Sequence, residues 1–557
     1  MSKSFRKNEK KITIIFFTVV LAILIAMVAW IVVDAISATS NFFKDQTFAK
    51  ALADALDCTA FSLDEDDIKD FEVMVVSCHV SNDSSNNYSI YTVPYVTLGK
   101  ADYADYIIEK MNTMYDEEEN DEEDETSSDS SDTSSDEPKF DTVTVYAAPT
   151  MLEDILKFTN LRVFSAIDSS TAYSISYDTY YANMYSQYLG GGSTITASSL
   201  FSKLVPQGLT TLNDLAPLTK LEYIGLAYSG LTNFEGIDNF PNLAVLDATE
   251  ASLTTVAGVE KASGLIGLYV GGNELTDISG VEKLDKLQTL EIASNKIEKL
   301  PVLTSGSLIN ISMSENSFTS LKLDLPNLRE LYVSGNDLKT IELNLPSATT
   351  VDLSGNSLTD ISSLAASPLL ENLVLSGNVE LTDISPISGC TGLKSLYIVF
   401  EDKDEGKLSD ISPLAGMTGM TDLSITYTQV SDISVLAGMT EMSNLTLANN
   451  LIDDISVLSG MTKLTTLNLS GNSIEDVSPL PDMKLLTTLN LSDNRIATVA
   501  SLKNSFDAEV ITSIDLSGNR IIDFTPLDSY SKATINKDDN GNDKETSDTD
   551  ASEADES

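Results

Sequence analysis

The chain has 557 residues, with 34 basic and 84 acidic side chains and a formal net charge of −50 at pH 7. This balance excludes a protein that binds nucleic-acid phosphates, because such a protein needs a basic surface. The single histidine, His79, excludes zinc sites built on two histidines, and three cysteines exclude a scaffold held by several disulfides. A chain of this length is expected to form two or three folded units.

The amino terminus has the pattern of a membrane anchor. Residues 1–11 carry five basic side chains and one acidic side chain, and residues 12–33 carry no charge. As a helix, the uncharged run spans roughly 33 Å, enough to cross a hydrocarbon core of about 30 Å. Because the basic cluster precedes the run, we expect a cytoplasmic tail, a single pass through the cell membrane and an extracellular C-terminal bulk. Small residues at 35–38 leave open a cleaved signal peptide and a secreted form.

Residues 40–165 have the pattern of a small α/β region. Apolar spacing predicts helices over 41–57, 101–115 and 149–158, and β-branched and aromatic residues predict strands over 71–80, 88–98 and 140–149. An insertion at 116–137 holds 13 acids and neither bases nor apolar side chains, which predicts disorder. Cys58 and Cys78 lie in the exported part, where either a disulfide between them or two free thiols is compatible with the sequence.

Residues 166–198 are rich in tyrosine and glycine and are interpreted as a linker, followed by a repeat cap at 199–220. From residue 221 to 530 the chain repeats itself in about fourteen units of roughly 22 residues, with the pattern L-x-x-L-x-L-x-x-N. Residues 464–485 are one such unit. The last residues, 531–557, are largely polar and acidic and are predicted to form a disordered tail.

The repeat pattern predicts a solenoid in the α/β class. The fourth and sixth residues of a unit share one face of a short strand, and stacked strands form a curved parallel sheet over a continuous core. The ninth residue is an amide that can bond the peptide groups where the chain leaves the strand. The predicted asparagine ladder consists of Asn273, Asn295, Asn316, Asn336, Asn356, Asn378, Asn450, Asn472, Asn494 and Asn519.

The second half of each unit, here called the return limb, is predicted to form short helical turns on the convex side. Hydroxyl residues precede proline at Ser385, Ser412, Ser478 and Thr525, which predicts a hydroxyl cap at the start of each turn. An aspartate lies two positions before many of these turns and is predicted to be a structural hydrogen-bonding group. This set is Asp277, Asp360, Asp383, Asp410, Asp432, Asp454 and Asp476.

The motif N-x-I/L-x-D-I-S-P-L, most complete at Asn472–Leu480, resembles the internalin-type leucine-rich repeats of bacterial surface proteins. The resemblance covers residues 221–530. It implies a curved solenoid with its strands on the concave side and a role in recognition at the cell surface. Two features depart from the family pattern: no wall-sorting signal stands near residue 557, and the units that begin at 308 and 328 have only 20 residues.

Strand parity places the third, fifth and seventh residues, and often the eighth, on the concave face. Tyrosine suits recognition because it buries a large area and keeps a polar tip. The sequence therefore predicts binding of a protein or carbohydrate, without a cofactor, a metal or enzymatic activity. A structural envelope scaffold or spacer is the alternative. The candidate ligand-binding residues are Tyr223, Tyr269, Glu291, Glu330, Tyr332, Tyr397, Phe400 and Tyr427.

Overall fold

The structure is a computed structural model that describes residues 43–56, 63–82, 90–102, 104–105, 142–145, 152–167, 206, 208–400, 406–480 and 482–540. The predicted anchor at 12–33, the insertion at 116–137, residues 168–198 of the predicted linker and Cys58 lie outside these residues, and the first two linker residues belong to a strand. Within the described ranges, no helix combines the length and the apolar character needed to cross a bilayer. The chain divides into two compact units, Met1–Thr289 and Leu290–Ser557.

The first unit begins with an α/β region. Its helices are α1 (Gln46–Ala55), α2 (Glu65–Ile68) and α3 (Leu152–Ile155), and its strands are β1 (Val73–Asn82), β2 (Ile90–Gly99), β3 (Thr142–Val145) and β4 (Val163–Ile167). The helix predicted over 41–57 begins at Gln46, because the side chain of Asp45 accepts hydrogen bonds from the backbone N–H groups of Thr47 and Phe48. The strands predicted over 71–80 and 88–98 are confirmed with ends shifted by one or two residues.

The sheet of this region continues directly into the first repeats. Strands β5 (Tyr223–Leu226), β6 (Val245–Asp247) and β7 (Gly267–Tyr269) follow in the sheet order β3-β2-β1-β4-β5-β6-β7. β2 is antiparallel to β1 and β3, whereas the pairs from β1–β4 to β6–β7 are parallel. β4 therefore supplies the edge on which the repeat strands are built.

The second unit consists of repeats. β8 (Thr289–Glu291) lies at the boundary, and the main sheet comprises β9 (Asn310–Ser312), β11 (Glu330–Tyr332), β13 (Thr350–Asp352), β14 (Asn372–Val374), β15 (Ser395–Val399), β16 (Asp422–Thr426), β17 (Asn444–Thr446), β18 (Thr466–Asn468), β19 (Thr488–Asn490), β20 (Ser513–Asp515) and β21 (Thr534–Asn536). From β9 to β21 these strands pair in parallel in chain order. The fourth and sixth residues point inward as predicted; Leu467 and Leu469 have no exposed surface.

The return limbs form 3-10 turns, which confirms the predicted short helical turns. In the first unit they are Leu212–Leu215, Ile237–Asn239, Val259–Lys261 and Val281–Lys283. In the second unit they are Ser362–Ala366, Ser385–Gly389, Ser412–Leu414, Ser434–Gly438, Ser456–Gly460, Ala500–Leu502 and Thr525–Leu527. The two short units differ, since their return limbs are strands β10 (Ser320–Asp324) and β12 (Thr340–Asn344), paired in parallel. Leucines at alternate positions, such as Leu321 and Leu323, give these segments a strand pattern.

The predicted hydroxyl caps are wrong. The turns that begin at Ser385, Ser412 and Thr525 have no side-chain cap hydrogen bond. The carboxylate two residues earlier accepts the hydroxyl residue's own N–H instead, as in Asp383 Oδ1 with Ser385 N at 2.7 Å. A carboxylate is the stronger acceptor because its hydrogen bonds are charge-assisted. The structural role predicted for the recurring aspartates is confirmed at all seven positions.

The repeats also extend past residue 530, where the sequence predicted a disordered tail. β21 pairs with β20, and the side chain of Asn540 accepts a hydrogen bond from Ile521 N at 3.0 Å and donates one to Leu516 O at 2.8 Å. Asn540 thus takes the ninth position of one more unit. Its strand, T-I-N, has a single aliphatic residue, which is why the leucine pattern missed it.

Candidate binding face of the repeats

The ninth-position amides lie where the sequence places them, and all ten bond backbone groups through the side chain. In a regular unit, Asn472 Oδ1 accepts a hydrogen bond from Ile452 N at 3.0 Å in the preceding unit. Its Nδ2 donates to Leu447 O at 2.8 Å, to Leu469 O at 3.0 Å and to Ser470 O at 3.2 Å. One buried amide therefore pairs four backbone groups across two units, which is a structural task and leaves it no group to offer a ligand.

The strand face of the first unit is covered by the chain itself. Tyr223 and Tyr269 are 1% and 4% exposed and belong to one cluster with Val73, Ala104 and Val163. Two of the predicted ligand-binding tyrosines are therefore core residues, and their assignment to an exposed face is wrong. The pattern of a single repeat cannot show this, because Ala104 lies in a helical segment far earlier in the chain, described at residues 101–102 and 104–105.

Glycines make room for these tyrosine rings. A Cβ atom on Gly267 would stand 3.0 Å from the Tyr269 ring, and one on Gly225 would stand 3.2 Å from the Tyr223 ring. Contacts this short are repulsive for any side chain. Each glycine lies two residues from its tyrosine and so on the same face of the strand. These glycines are the sequence signal that the rings lie against the sheet.

The eighth positions of the first two repeats carry Tyr228, which is half-buried, and Glu250, which is exposed. Burial, and after it the charges of Glu250 and Asp247, raise the pKa of Tyr228, and burial raises the pKa of Glu250. Asp247 is fully buried, and its carboxylate accepts the N–H of Thr249 at 3.0 Å. Asp247 therefore has a structural role at the end of β6.

In the second unit, the predicted carboxylates have different surroundings. Glu291 Oε1 accepts hydrogen bonds from Ala293 N at 2.9 Å and from Ser312 Oγ at 3.3 Å, which gives it a structural role at the end of β8. Glu330 is half-buried and accepts a hydrogen bond from the hydroxyl of Tyr332 at 3.3 Å. Tyr332 is half-buried as well, with its ring on the solvent side of β11.

The most exposed apolar side chains of the strand face lie on neighbouring strands. Tyr397 and Val399 are each 37% exposed, and Val374 is half-buried and directly opposite Tyr397 in the register of β14 and β15. These three residues are called the apolar patch below. Burial, together with the charge of Asp422, raises the pKa of Tyr397 against an opposing hydrogen bond to Ser395, so the phenol stays neutral at physiological pH.

Phe400 and Tyr427 border this patch but are less accessible than predicted. Phe400 is 4% exposed, because its ring packs against Gly406, where a Cβ atom would stand only 2.3 Å from the ring. Phe400 is therefore a buried side chain, and its assignment as a ligand contact is wrong. Tyr427 is half-buried and has a left-handed backbone with φ 53°.

Hydrogen bonding separates the structural strand positions from the candidate binding positions. In several later repeats, a fifth-position side chain accepts the N–H of the seventh residue, as Asp352 does for Ser354 at 2.8 Å. The same contact recurs in other units, at Asn468, Asn490 and Asp515. Where a tyrosine takes the fifth position, a serine of the preceding repeat accepts the N–H of the seventh residue instead. Ser376 Oγ, for example, accepts Val399 N at 3.0 Å in the repeat of Tyr397. Val374 and Val399, which the sequence analysis missed, occupy fifth and seventh positions and could have been found by the same parity.

Two leucine-rich repeat family models match the chain, one in two copies at residues 440–482 and one at 483–499. The repeats are leucine-rich repeats. A solved leucine-rich repeat protein of Leptospira interrogans has 19% identity and a TM-score of 0.50 over 69% of this chain and 91% of its own, which supports the fold. Two solved internalins from Listeria monocytogenes also match part of the chain.

The internalin InlF shows 27% identity and a TM-score of 0.45 over 51% of this chain and 83% of its own. The functional domain of InlJ shows 20% identity and a TM-score of 0.43 over 62% and 81%. No curated protein sequence matched.

Proposed function

We propose that this chain is a membrane-anchored extracellular binding protein that recognises a protein or carbohydrate through the strand face of its second unit. The observation that carries the proposal is the apolar patch. The side chains of Val374, Tyr397 and Val399 lie on adjacent strands, outside the leucine core, and none of them accepts the backbone N–H groups at the strand ends. Apolar side chains grouped on a polar surface are typical of interaction sites, and tyrosine is among the residues most often found in their centres.

The surroundings of the apolar patch favour a partner with basic groups. Tyr332 lies three strands from Tyr397, or about 14 Å away at the usual strand spacing. The carboxylates of Glu330, Asp352 and Asp422 lie on β11, β13 and β16, the strand of Tyr332, the strand next to it and the strand next to that of Tyr397. A basic partner would be attracted by these charges, so its association should weaken as salt is added.

The location of the protein is proposed from the sequence. An uncharged run at 12–33 with a basic flank supports insertion in the lipid bilayer, with the repeats outside the cell. Leucine-rich repeats serve in general as binding scaffolds, which supports recognition and favours no reaction. In the later units the strand face carries threonine and asparagine, and some of these side chains close the strand ends, as Asn468 and Asn490 do. This part of the face fits the alternative role of a spacer.

The experiment compares binding by residues 40–557 and by a Tyr332→Ala/Tyr397→Ala double variant. A partner is first captured from cell-surface extracts and then titrated in pure form. Loss of two aromatic contacts should weaken binding by about 1–3 kcal/mol if they are hot spots, with little change in melting temperature. The matched control is Thr466→Ala/Thr488→Ala, two face positions without aromatic groups, which should bind like the parent. Equal binding by both variants would place the site elsewhere, and the absence of any saturable partner would favour the spacer.

A further inference from the structure

The return-limb side of the second unit has an open sheet edge. β10 pairs with β12 on one side only, and the preceding return limb, Lys299–Thr304, forms no backbone hydrogen bond with Ser320–Asp324. Pro301 explains part of this gap, since it has no N–H to donate. The limb runs past β10 without continuing the sheet.

The backbone direction of β10 shows which groups face the gap. Thr319 O accepts a hydrogen bond from Lys339 N at 3.0 Å, and Leu325 N donates to Asn344 O at 3.2 Å, so the odd residues of this strand face β12. In a parallel ladder, successive residues point their peptide groups to opposite edges. The N–H and C=O groups of Ser320, Lys322 and Asp324 therefore face the open edge, in the spacing that an added strand requires.

A groove lies along this edge. Its volume is about 620 Å³, and its lining includes Leu300, Val302, Leu303 and Leu321, together with Lys299 and Lys322. Val302 is 81% exposed, which is unusual for a valine in a packed repeat. One carboxylate, Asp324, also lines the groove and accepts a hydrogen bond from Asn344 Nδ2 at 2.8 Å. The groove thus combines an apolar floor, a row of peptide groups and a net positive lining of two lysines against one aspartate, in a chain whose net charge is −50.

We propose that the open edge of β10 binds an extended peptide segment of a partner protein, which adds as a strand between β10 and the Lys299–Thr304 limb. Main-chain hydrogen bonds to Ser320, Lys322 and Asp324 hold the segment, and alternate apolar side chains cover Leu321 and Val302. Acidic residues at the intervening positions pair with Lys299 and Lys322. Lys322 has an ion pair with Glu342, but both side chains are more than two-thirds exposed, so this pair is readily exchanged.

A second copy of this chain fits the edge less well. Antiparallel pairing of two β10 strands about their centres would bring the two Lys322 side chains opposite each other, and like charges directly opposite are destabilising. Two chains of charge −50 also repel each other. An acidic extended segment matches the lysines and needs only a short stretch of exposed chain.

The test uses the full chain and a fluorescent synthetic peptide that alternates valine and glutamate, with a valine and lysine peptide as the charge control. Anisotropy titration should give saturable binding of the acidic peptide, weakened by salt, and at least tenfold weaker binding of the basic one. Hydrogen exchange should slow in the segment around 319–325 on binding.

Lys322→Pro removes one edge N–H and leaves the bonds to β12 intact, because proline is tolerated where the N–H faces outward at an edge. It should weaken binding of the acidic peptide at least tenfold, whereas Lys322→Ala keeps the N–H and should lose only the salt-dependent part. Tyr397→Ala, on the opposite face, should bind the peptide like the parent. Absence of saturable binding, full binding by Lys322→Pro despite native melting, or protection of 319–325 by self-association without peptide would each overturn the proposal.

Discussion

At the residue scale, the asparagine column shows how one side chain can specify a turn of the solenoid. The chain leaves each strand with peptide groups that no neighbouring strand can pair, and a buried unpaired peptide group is costly. An asparagine amide has two donor hydrogens and one acceptor oxygen, which suits this arrangement of carbonyls and N–H groups. Ala251, at a ninth position in the first unit, has no such side chain, and that turn has only the amide of the next repeat: Asn273 accepts the N–H of Leu253 at 2.7 Å and donates to Ala248 O at 2.9 Å.

Asn472→Ala should therefore be strongly destabilising. It leaves the buried N–H of Ile452 unpaired, which costs on the order of 1–3 kcal/mol. The carbonyls of Leu447, Leu469 and Ser470 each lose one hydrogen bond but keep another, from Asn450 Nδ2, Asn494 Nδ2 and Asn449 N. We expect a loss of about 1–3 kcal/mol in the free energy of unfolding, measured by urea denaturation. The control, Thr466→Ala on the half-buried strand face, should lose well under ~1 kcal/mol. Similar losses in both variants would show that the register is misassigned.

The eighth position of a repeat provides a similar test, of the left-handed backbone conformation. Gly377 has φ 74°, and an added Cβ atom would stand 3.0 Å from the backbone N of Gly355 in the preceding unit. A non-glycine residue in this conformation loses about 1–2 kcal/mol, and a backbone contact cannot rotate away. Gly377→Ala should lower the melting temperature clearly. Gly389→Ala, with nothing within 4 Å and no left-handed φ, should change it little. Equal shifts in melting temperature for the two variants would contradict the left-handed conformation at the eighth position.

At the element scale, the aspartates before the turns make the stability of the fold depend on pH. Hydrogen bonds from the N–H and hydroxyl of the residue two positions on lower the pKa of Asp383, Asp410, Asp432, Asp476 and Asp523. A lowered pKa in the folded state means that the stabilisation is complete above the unfolded value of about 3.9 and is lost as pH falls through the folded value.

Asp432→Ala should accordingly reduce the melting temperature at neutral pH, and the difference from the parent should shrink as the pH is taken from 7 to 3. Differential scanning calorimetry across that range measures it. Asp453→Ala provides the control, because Asp453 is exposed and makes no such contact with the following turn. A difference for Asp432→Ala that stays constant at all pH values would show that the carboxylate acts through its shape and not through its charge.

A second element-scale prediction concerns the junction of the α/β region and the first repeat. Arg162, just before β4, donates to both oxygens of Glu222 at 2.6 and 3.1 Å and to Asp105 at 2.8 Å, with Glu72 at 3.4 Å. The hydrogen bonds to Glu222 raise the pKa of the guanidinium. Because all three carboxylates lie within 3.4 Å of this one guanidinium, removing the cation leaves like charges near one another without a neutralising partner.

Arg162→Met should lower the free energy of unfolding by about 1–3 kcal/mol, less than for a fully buried pair because 23% of the side chain is exposed. The matched change, Lys261→Met, breaks an exposed pair with Asp238 and should cost less than ~1 kcal/mol. Chemical denaturation followed by circular dichroism distinguishes the two. A loss at Arg162 no greater than at Lys261 would mean that this junction is held by its backbone ladder alone.

At the scale of the whole molecule, the sequence predicts the features that recur in each repeat, but it does not predict contacts between segments that are far apart in the chain. Leucine and asparagine positions set the strands, the inward faces and the turns, because each follows from contacts between neighbouring units. Burial of Tyr223 by Ala104 depends on a segment more than a hundred residues earlier. Likewise, the continuation of β4 into β5 and the packing of Phe400 on Gly406 are tertiary contacts without a periodic signal. Fewer of the candidate ligand-binding residues are therefore exposed than the sequence predicts, because these tertiary contacts bury some of them.

The last prediction concerns the orientation of the whole chain. With basic residues at 1–11 and an uncharged run at 12–33, the amino terminus should remain cytoplasmic and the repeats should be outside. Protease added to intact cells should digest the repeats, while an epitope tag at the amino terminus stays protected and sediments with membranes. Replacing the five basic residues of 1–11 by neutral ones should weaken this orientation. Recovery from the medium of an intact protein whose first residue lies near Thr39 would show cleavage, and protease resistance in intact cells would place the repeats inside.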